Sequence, residues 1–218
     1  MINILVFLLF FALNFWHSFH WIQDIISRKP NDFWHIIAPP GTGKTTLASW
    51  LSKQAKCEGK ETYSNRAIRG TYFMNIEDLG KYDIHDCKVI IDEGGSDLNN
   101  REWQKLPKSA ITFIKLNRHY NVDIYVFSQS AGDIDIKFRD LVTRKYLLYK
   151  SKIPFHVFCQ SLAKIMKLEG GQIVEYLEED REGCFRIFTP PLWAYFNSWD
   201  KSMKLEKRKK KKYTLLDT

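Results

Sequence analysis

Eight consecutive residues near the start of the chain have the composition of a loop that binds phosphate. The segment Ala38-Pro-Pro-Gly-Thr-Gly-Lys-Thr45 departs from the pattern only at its first position, where Ala replaces Gly. Its glycines permit backbone conformations in which successive N–H groups surround an anion. The lysine would reach the β- and γ-phosphates of ATP, and the last hydroxyl would bind Mg²⁺. The predicted nucleotide-binding residues are Pro40, Gly41, Thr42, Gly43, Lys44, Thr45 and Thr46.

A pair of acids follows a short apolar segment in the middle of the chain. Asp92 and Glu93 come directly after Val89-Ile-Ile91, and ligands of open α/β sheets bind where strands end. We expect Asp92 to hold Mg²⁺ together with Thr45, and Glu93 to polarise the attacking water as general base. A carboxylate at that second position indicates ATP hydrolysis.

Two further kinds of residue could take part in the reaction. Gln129 follows the apolar segment Tyr125-Val-Phe-Ser128, where its amide could orient water or sense the γ-phosphate. Arg118, Arg139 and Arg144 are candidate arginine fingers, because a cation supplied by a neighbouring subunit stabilises transition-state charge. Arg118 is the predicted catalytic arginine, and its use would require an oligomer.

The elements that must position these residues alternate between strands and helices. Strands are predicted at 33–38, 88–92, 122–128 and 146–149, and helices at 44–56, 107–120 and 134–144. This alternation predicts an α/β fold, a P-loop NTPase with a mostly parallel sheet flanked by helices. The predicted ATPase core is 28–150. Residues 151–200 are predicted to form a small β-rich C-terminal appendix, with strands at 157–168, 172–177 and 184–188.

The N-terminal segment predicts a membrane helix. Residues 1–23 contain no charged side chain, and the 21 residues from Ile2 to Ile22 would span about 30 Å as a helix. Residues 1–27 are therefore predicted to form a membrane anchor, and a buried or interfacial amphipathic helix is the alternative. Arg28 and Lys29 follow it, so the positive-inside rule places the N-terminus outside and the ATPase domain in the cytoplasm. If the protein is viral, the membrane is that of the host cell.

The charge of the chain is concentrated at its C-terminus. The formal net charge is +8, and the twelve residues from Lys201 to Lys212 carry +7 of it. Residues 201–218 are predicted to be a disordered basic tail that contacts anionic lipid or single-stranded DNA, or only aids solubility. The four cysteines form no CxxC pair and no cluster with histidine, which favours reduced structural thiols.

The order of these motifs resembles the zonular occludens toxin-like family, which includes the gene-I-type assembly ATPases of filamentous phages. The resemblance rests on the phosphate loop, Val89-Ile-Ile-Asp-Glu93, the segment from Phe113 to Gln129 with its Arg118-His119 pair, and Ile134-Asp-Ile-Lys-Phe-Arg-Asp-Leu-Val142. It covers about residues 33–150. It implies a membrane-bound ATPase related to the HerA/FtsK branch, which would drive assembly and export of phage particles with coat or assembly proteins as partners. Many family members carry the membrane span after the ATPase domain, whereas this chain would carry it before.

Three other functions are compatible with the same residues. A soluble viral genome-packaging or helicase-like ATPase of the HerA/FtsK branch would have residues 1–23 buried or interfacial. A nucleotide-binding scaffold would bind ATP without turnover, although the Asp92-Glu93 pair argues against it. A small-molecule kinase is disfavoured because the sequence shows no separate acceptor-binding lid.

Overall fold

The fold is built on one eight-stranded sheet. The computed structural model describes residues 31–92, 107–134, 136–169 and 172–195. The strands run in the order β3-β2-β4-β5-β1-β6-β7-β8, with β1 to β6 parallel and β7 and β8 antiparallel. Their bounds are β1 Phe33–Ile37, β2 Glu61–Ser64, β3 Tyr72–Phe73, β4 Cys87–Ile91, β5 Asp123–Ser128, β6 Arg144–Lys150, β7 His156–Glu169 and β8 Gln172–Phe188.

Helices cover both faces of this sheet. They are α1 Lys44–Cys57, α2 Lys108–Lys115 and α3 Ile136–Arg139, with short 3-10 helices at Ile76–Asp78 and Pro190–Tyr195. Successive residues of the central strands point to opposite faces, so Val126 packs with Phe113 of α2 while Phe127 packs with Leu47 and Leu51 of α1. The strands β1, β4 and β5 are buried along their whole length. The predicted α/β sheet with helices on both faces is therefore confirmed.

The parallel strands bring the predicted site residues to one edge. The central strand β1 lies between β5 and β6, and β4 lies on the other side of β5. Because these strands are parallel, their C-terminal ends meet at the same edge of the sheet, which we call the carboxyl edge. The phosphate loop, Asp92 and Gln129 all follow strands that end there.

The β-rich C-terminal part continues the same sheet. Strand β7 pairs with β6 from Lys150↔Val157 to Lys145↔Leu162, and β8 pairs with β7 along its length. Phe185 of β8 stacks on Trp50 of α1, with ring centroids 5.6 Å apart. Residues 151–195 thus share a sheet and a core with the nucleotide-binding part, so the predicted division near residue 150 does not separate two cores.

Several element boundaries differ from the predictions. The helix expected at 134–144 is the four-residue α3, and α2 ends at Lys115 instead of Tyr120. A turn replaces the end of α2, in which Asn121 is left-handed (φ 55°) and the Asn117 side-chain amide donates to the Val122 carbonyl oxygen at 3.1 Å. Asparagine tolerates this conformation and bonds the local backbone, so it competes with helix continuation.

Some predictions fall on parts of the chain without a structural description. The predicted anchor at 1–27, Glu93 and the basic tail at 201–218 lie outside the described residues. Within the described ranges, no helix is long and apolar enough to cross a membrane. All four cysteines are free, as predicted, and burial raises the pKa of Cys87 to about 12.

Candidate functional site

The phosphate loop connects β1 to α1 and is shaped by its own backbone. Thr42 donates twice to the carbonyl oxygen of Pro39, from its backbone nitrogen at 3.3 Å and from its hydroxyl at 2.7 Å. Gly41 and Gly43 have φ of +74° and +103°, which side chains disfavour. The backbone nitrogen of Leu47 then donates to the Gly43 carbonyl at 3.0 Å and begins the helix. The N-terminus of α1 is thereby directed at the loop, where its dipole favours an anion.

The neighbouring strand β7 restricts what can occupy the loop's last glycine. A Cβ atom placed on Gly43 would lie 2.6 Å from Cγ2 of Val157, which is closer than two carbon atoms can approach. Gly43 is therefore required twice, for its backbone conformation and for this contact. The sequence pattern indicates the first requirement, whereas the second depends on β7 joining the sheet beside the loop.

The phosphate-loop lysine and the acid at the end of β4 form an ion pair. Lys44 Nζ lies 2.9 Å from Asp92 Oδ1, and the two side chains are 19% and 13% exposed. The pairing joins two residues that are far apart in sequence and that were both predicted from their motifs. The fold therefore brings the cation that would bind phosphate and the carboxylate that would bind Mg²⁺ to one point of the carboxyl edge.

Two residues that follow β2, Asn65 and Arg66, also contact Asp92. Neither residue was identified from the sequence. Asn65 donates from Nδ2 to the Asp92 carbonyl oxygen at 2.9 Å and accepts from the Asp92 backbone nitrogen at 2.7 Å. Arg66 places Nε 3.6 Å from Asp92 Oδ2. Because both oxygens of Asp92 face a cation and its backbone is held on both sides, the carboxylate is fixed in one orientation. The short segment Glu61–Ser64 has no strong apolar pattern, so the sequence does not predict a strand there. Asn65 and Arg66 were therefore not recognised as residues that follow a strand of the sheet.

The donor set fits a hydrated Mg²⁺ held mainly by substrate. Magnesium is usually bound by one or two carboxylates together with phosphate oxygens and water. Asp92 supplies a carboxylate at the phosphate loop, and Thr45 lies in the first turn of α1 beside Lys44. Among the described residues there is no group of three or more His, Cys, Asp or Glu side chains that could hold a metal ion by themselves. Thr45 and Asp92 thus remain the predicted magnesium ligands.

The loop that carries Gln129 is held by an aspartate four residues later. Asp133 Oδ2 accepts from the backbone nitrogens of Gln129 at 3.0 Å and Ser130 at 2.7 Å, and Oδ1 accepts from the Ser130 hydroxyl at 2.7 Å. Partial burial of Asp133 acts to raise its pKa, but these hydrogen bonds outweigh burial and lower the pKa. The Gln129 side chain itself is exposed at the carboxyl edge.

A buried histidine of β1 is hydrogen-bonded to the residue that precedes Gln129. The Ser128 hydroxyl donates to the Ser130 carbonyl oxygen at 2.7 Å, so its only hydrogen is used there. His35 Nε2 lies 2.7 Å from the same hydroxyl and must therefore be the donor of that bond. Burial, with Lys145 and Arg139 nearby, lowers the pKa of His35 to about 4. The imidazole is neutral at physiological pH, with its hydrogen on Nε2.

We expect this histidine to make stability depend on pH. Its pKa is about 4 when folded against 6.5 in the unfolded chain, so its contribution is complete above pH 6.5 and decreases as pH falls towards 4. The shift corresponds to about 3 kcal/mol of unfolding free energy lost by pH 4. Urea unfolding of His35→Gln should show a correspondingly flatter decline between pH 7 and 4. The exposed His119→Gln should retain the wild-type decline, and equal slopes for all three proteins would contradict the assignment.

The three arginines predicted as fingers lie away from the phosphate loop or are already bonded. Arg118 is exposed in the turn before β5, at the edge where the parallel strands begin. Arg144 is at the start of β6, with Nε 3.1 Å from Asp32 Oδ2. Arg139 donates from Nε to the Ile134 carbonyl oxygen at 2.9 Å. Arg118 therefore cannot act on a nucleotide bound to its own chain, and its predicted role remains one towards a neighbouring subunit.

The chain is similar to one known family and to several solved structures. Residues 74–158 match the family model described as zonular occludens toxin (Zot). The N-terminal domain of zonular occludens toxin from Neisseria meningitidis is a similar solved structure, with a TM-score of 0.51 and 15% identity over 78% of this chain and 100% of that one. The genome packaging NTPase B204 from Sulfolobus turreted icosahedral virus 2, solved with ATP-gammaS, gives a TM-score of 0.45 and 11% identity over 68% of this chain and 98% of that one. No curated protein matches the chain.

The matched segment contains Asp92, Gln129 and Val157 but begins after the phosphate loop. The family match confirms the predicted resemblance to the zonular occludens toxin-like family, and the Neisseria domain shares its fold. The phosphate loop is supported separately, by its glycine conformations and by the contact between Lys44 and Asp92.

Proposed function

We propose that this zonular occludens toxin-like P-loop ATPase hydrolyses ATP with Mg²⁺ at the carboxyl edge. The observation that carries the proposal is the 2.9 Å contact between Lys44 Nζ and Asp92 Oδ1. This contact supports the proposal because Lys44, which would bind phosphate, lies beside the acid that follows β4, and Asn65 holds that acid in place.

Each residue of the site has a distinct role in this proposal. The backbone N–H groups of the phosphate loop surround the β- and γ-phosphates, and Lys44 leaves Asp92 to neutralise them. Thr45 and Asp92 would hold Mg²⁺, whose positive charge would offset that of the phosphates. Glu93, the residue after Asp92, accepts a proton from the attacking water, and Gln129 orients that water. Arg118 of a neighbouring subunit supplies further positive charge in a homo-oligomer.

Replacing the proposed base tests hydrolysis separately from binding. Glu93→Gln keeps the size of the side chain and removes its basicity, so we expect turnover to fall about 10²–10⁴-fold while ATP remains bound. Phosphate release and equilibrium ATP binding measure the two effects. The matched control is Glu77→Gln, an exposed glutamate in the 3-10 helix Ile76–Asp78. Unchanged turnover in Glu93→Gln would remove Glu93 from the mechanism, whereas a wild type that binds ATP without turnover would favour the nucleotide-binding scaffold.

We further propose that the enzyme is anchored by residues 1–27 in a membrane and drives assembly and export of filamentous phage particles. The absence of charged residues from 1–23 and the family resemblance support this proposal. The partners would be phage coat or assembly proteins, and the basic tail at 201–218 would contact anionic lipid or single-stranded DNA. The alternative is a soluble genome-packaging or helicase-like ATPase, in which residues 1–23 are buried or interfacial.

Alkaline carbonate extraction of membranes distinguishes these alternatives. We expect the full-length chain to remain in the membrane pellet, because a helix of about 20 apolar residues is retained by the hydrocarbon core. A chain lacking residues 1–27 should appear in the supernatant and serves as the control. Release of the full-length chain would contradict the anchor and favour the packaging alternative, while leaving the proposed ATP hydrolysis unaffected.

A further inference from the structure

Two large aromatic side chains are exposed together on the described surface. Phe155 is 61% exposed and Trp193 is 53% exposed, and their ring centroids lie 6.1 Å apart in an edge-to-face arrangement. We call these two residues the aromatic pair. Phe188, also exposed, contacts His156, the chain neighbour of Phe155, with ring centroids 5.2 Å apart. Two adjoining exposed rings differ from the isolated apolar side chains that protein surfaces ordinarily carry.

The segments that carry the aromatic pair pack near the phosphate loop. Phe155 precedes Val157 by two residues, so their Cα atoms are at most about 7 Å apart, and Val157 contacts Gly43. Strand β6 is parallel to β1, so the connection from β6 to β7 leaves the sheet at the carboxyl edge. Leu192, the neighbour of Trp193, is buried in the same core as Leu47 of α1. Both rings therefore belong to segments that pack against the phosphate loop and its helix.

The backbone holds Phe155 in an unfavourable conformation that exposes its ring. Its φ is 60°, which is a rare value for a large side chain. Thr189 donates to the Phe155 carbonyl oxygen from its backbone nitrogen at 2.8 Å and from its hydroxyl at 3.0 Å. His156 Nδ1 donates to the Pro154 carbonyl oxygen at 2.8 Å and fixes the adjacent turn. Strain that the surroundings maintain in this way is characteristic of functional sites.

We propose that the aromatic pair binds the base of the nucleotide whose phosphates occupy the phosphate loop. The inference rests on the proposed function and adds to it the part of ATP that the loop cannot recognise. Backbone N–H groups and Lys44 interact with phosphate charge, whereas a purine is flat and largely apolar on both faces. Aromatic side chains stack on bases of any sequence because every base has a π-face. The bound base would cover the exposed faces of Phe155 and Trp193.

The proposal predicts a loss of affinity that depends on the base. Calorimetry would compare a non-hydrolysable ATP analogue with inorganic tripolyphosphate, both with Mg²⁺, on the full-length chain. We expect Phe155→Ala and Trp193→Ala each to lower the affinity for the ATP analogue about tenfold. The affinity for tripolyphosphate should fall by less than twofold. The matched control is Phe73→Ala, an exposed phenylalanine of β3 at the far edge of the sheet, which should bind both ligands like the wild type.

Two results would overturn the aromatic site. Unchanged affinity for the analogue in both variants would show that the base lies elsewhere. An equal loss for analogue and tripolyphosphate would show that the substitutions act through the shape of the phosphate loop. If an alanine variant does not fold, Trp193→Leu keeps an apolar side chain without the ring and is measured in the same way. Failure of the wild type to bind either ligand would instead refute the proposed function.

Discussion

Lys44→Ala should reduce ATP hydrolysis about a thousandfold. The ammonium is the side-chain cation that the phosphate loop itself contributes, and removing one preorganised donor from such a site typically costs 10²–10³ in rate. Loss of phosphate binding adds to this effect. The fold should survive, because Arg66 remains beside Asp92 and still compensates its charge.

The experiment compares two lysines of the same helix. Lys56 lies in the last turn of α1 and is exposed, so Lys56→Ala should hydrolyse ATP at the wild-type rate. Steady-state phosphate release gives the rates, and urea unfolding verifies that both variants are folded. Wild-type hydrolysis by a folded Lys44→Ala protein would show that the phosphate loop has been assigned wrongly.

The central part of the site is predictable from sequence because its motifs are local. The phosphate loop combines glycines, a lysine and a hydroxyl within eight residues, between an apolar strand and a helix with apolar residues at regular spacing. Asp92 follows a continuous apolar segment, and such segments form the buried strands of parallel sheets. Because parallel strands end at a common edge, these two local patterns predict the contact between Lys44 and Asp92 that the structure shows.

Other parts of the site depend on contacts between distant segments. Asn65 and Arg66 contact Asp92 only because β2 pairs with β4 through Ser64↔Ile90. The mixed polar and apolar sequence of β2 does not predict that pairing. Arg118 and Arg144 lie at the edge of the sheet opposite the phosphate loop, whereas Arg66 lies beside Asp92. A short strand is specified by the sheet around it more than by its own residues. The positions of the residues that flank it therefore cannot be predicted from the nearby sequence alone.

The C-terminal strands show the same limit at the scale of the fold. The alternation of residues after Lys150 indicates strands, but composition cannot tell whether they form a separate unit or extend the first sheet. The pairing of β7 with β6 decides this, and it also brings Val157 against Gly43 and Phe155 towards the phosphate loop. A segment predicted as an appendix therefore lies against the phosphate loop.

Gly43→Ala should abolish nucleotide binding and destabilise the protein by about 2–4 kcal/mol. A non-glycine residue at φ +103° costs about 1–3 kcal/mol. The new methyl group would also lie 2.6 Å from Val157 Cγ2, and valine has little rotamer freedom with which to move away. Both effects rotate the N–H groups that face the phosphates, so binding is lost even where the protein still folds.

A double-mutant cycle separates the two causes. The double variant Gly43→Ala/Val157→Ala lacks the clash. Its free energy of unfolding should therefore be about 1 kcal/mol higher than the sum of the two single changes predicts. Nucleotide binding should stay lost in the double variant, because the backbone conformation at residue 43 is still unfavourable.

Gly59→Ala is the matched control: it has φ +71° and open space around the new methyl group, and it lies at the far end of α1. It should lose stability through backbone strain alone and still bind nucleotide, because Gly59, unlike Gly43, lies outside the phosphate loop. Restored binding in the double variant would mean that β7, acting through Val157, sets the shape of the loop more strongly than the glycine conformation does.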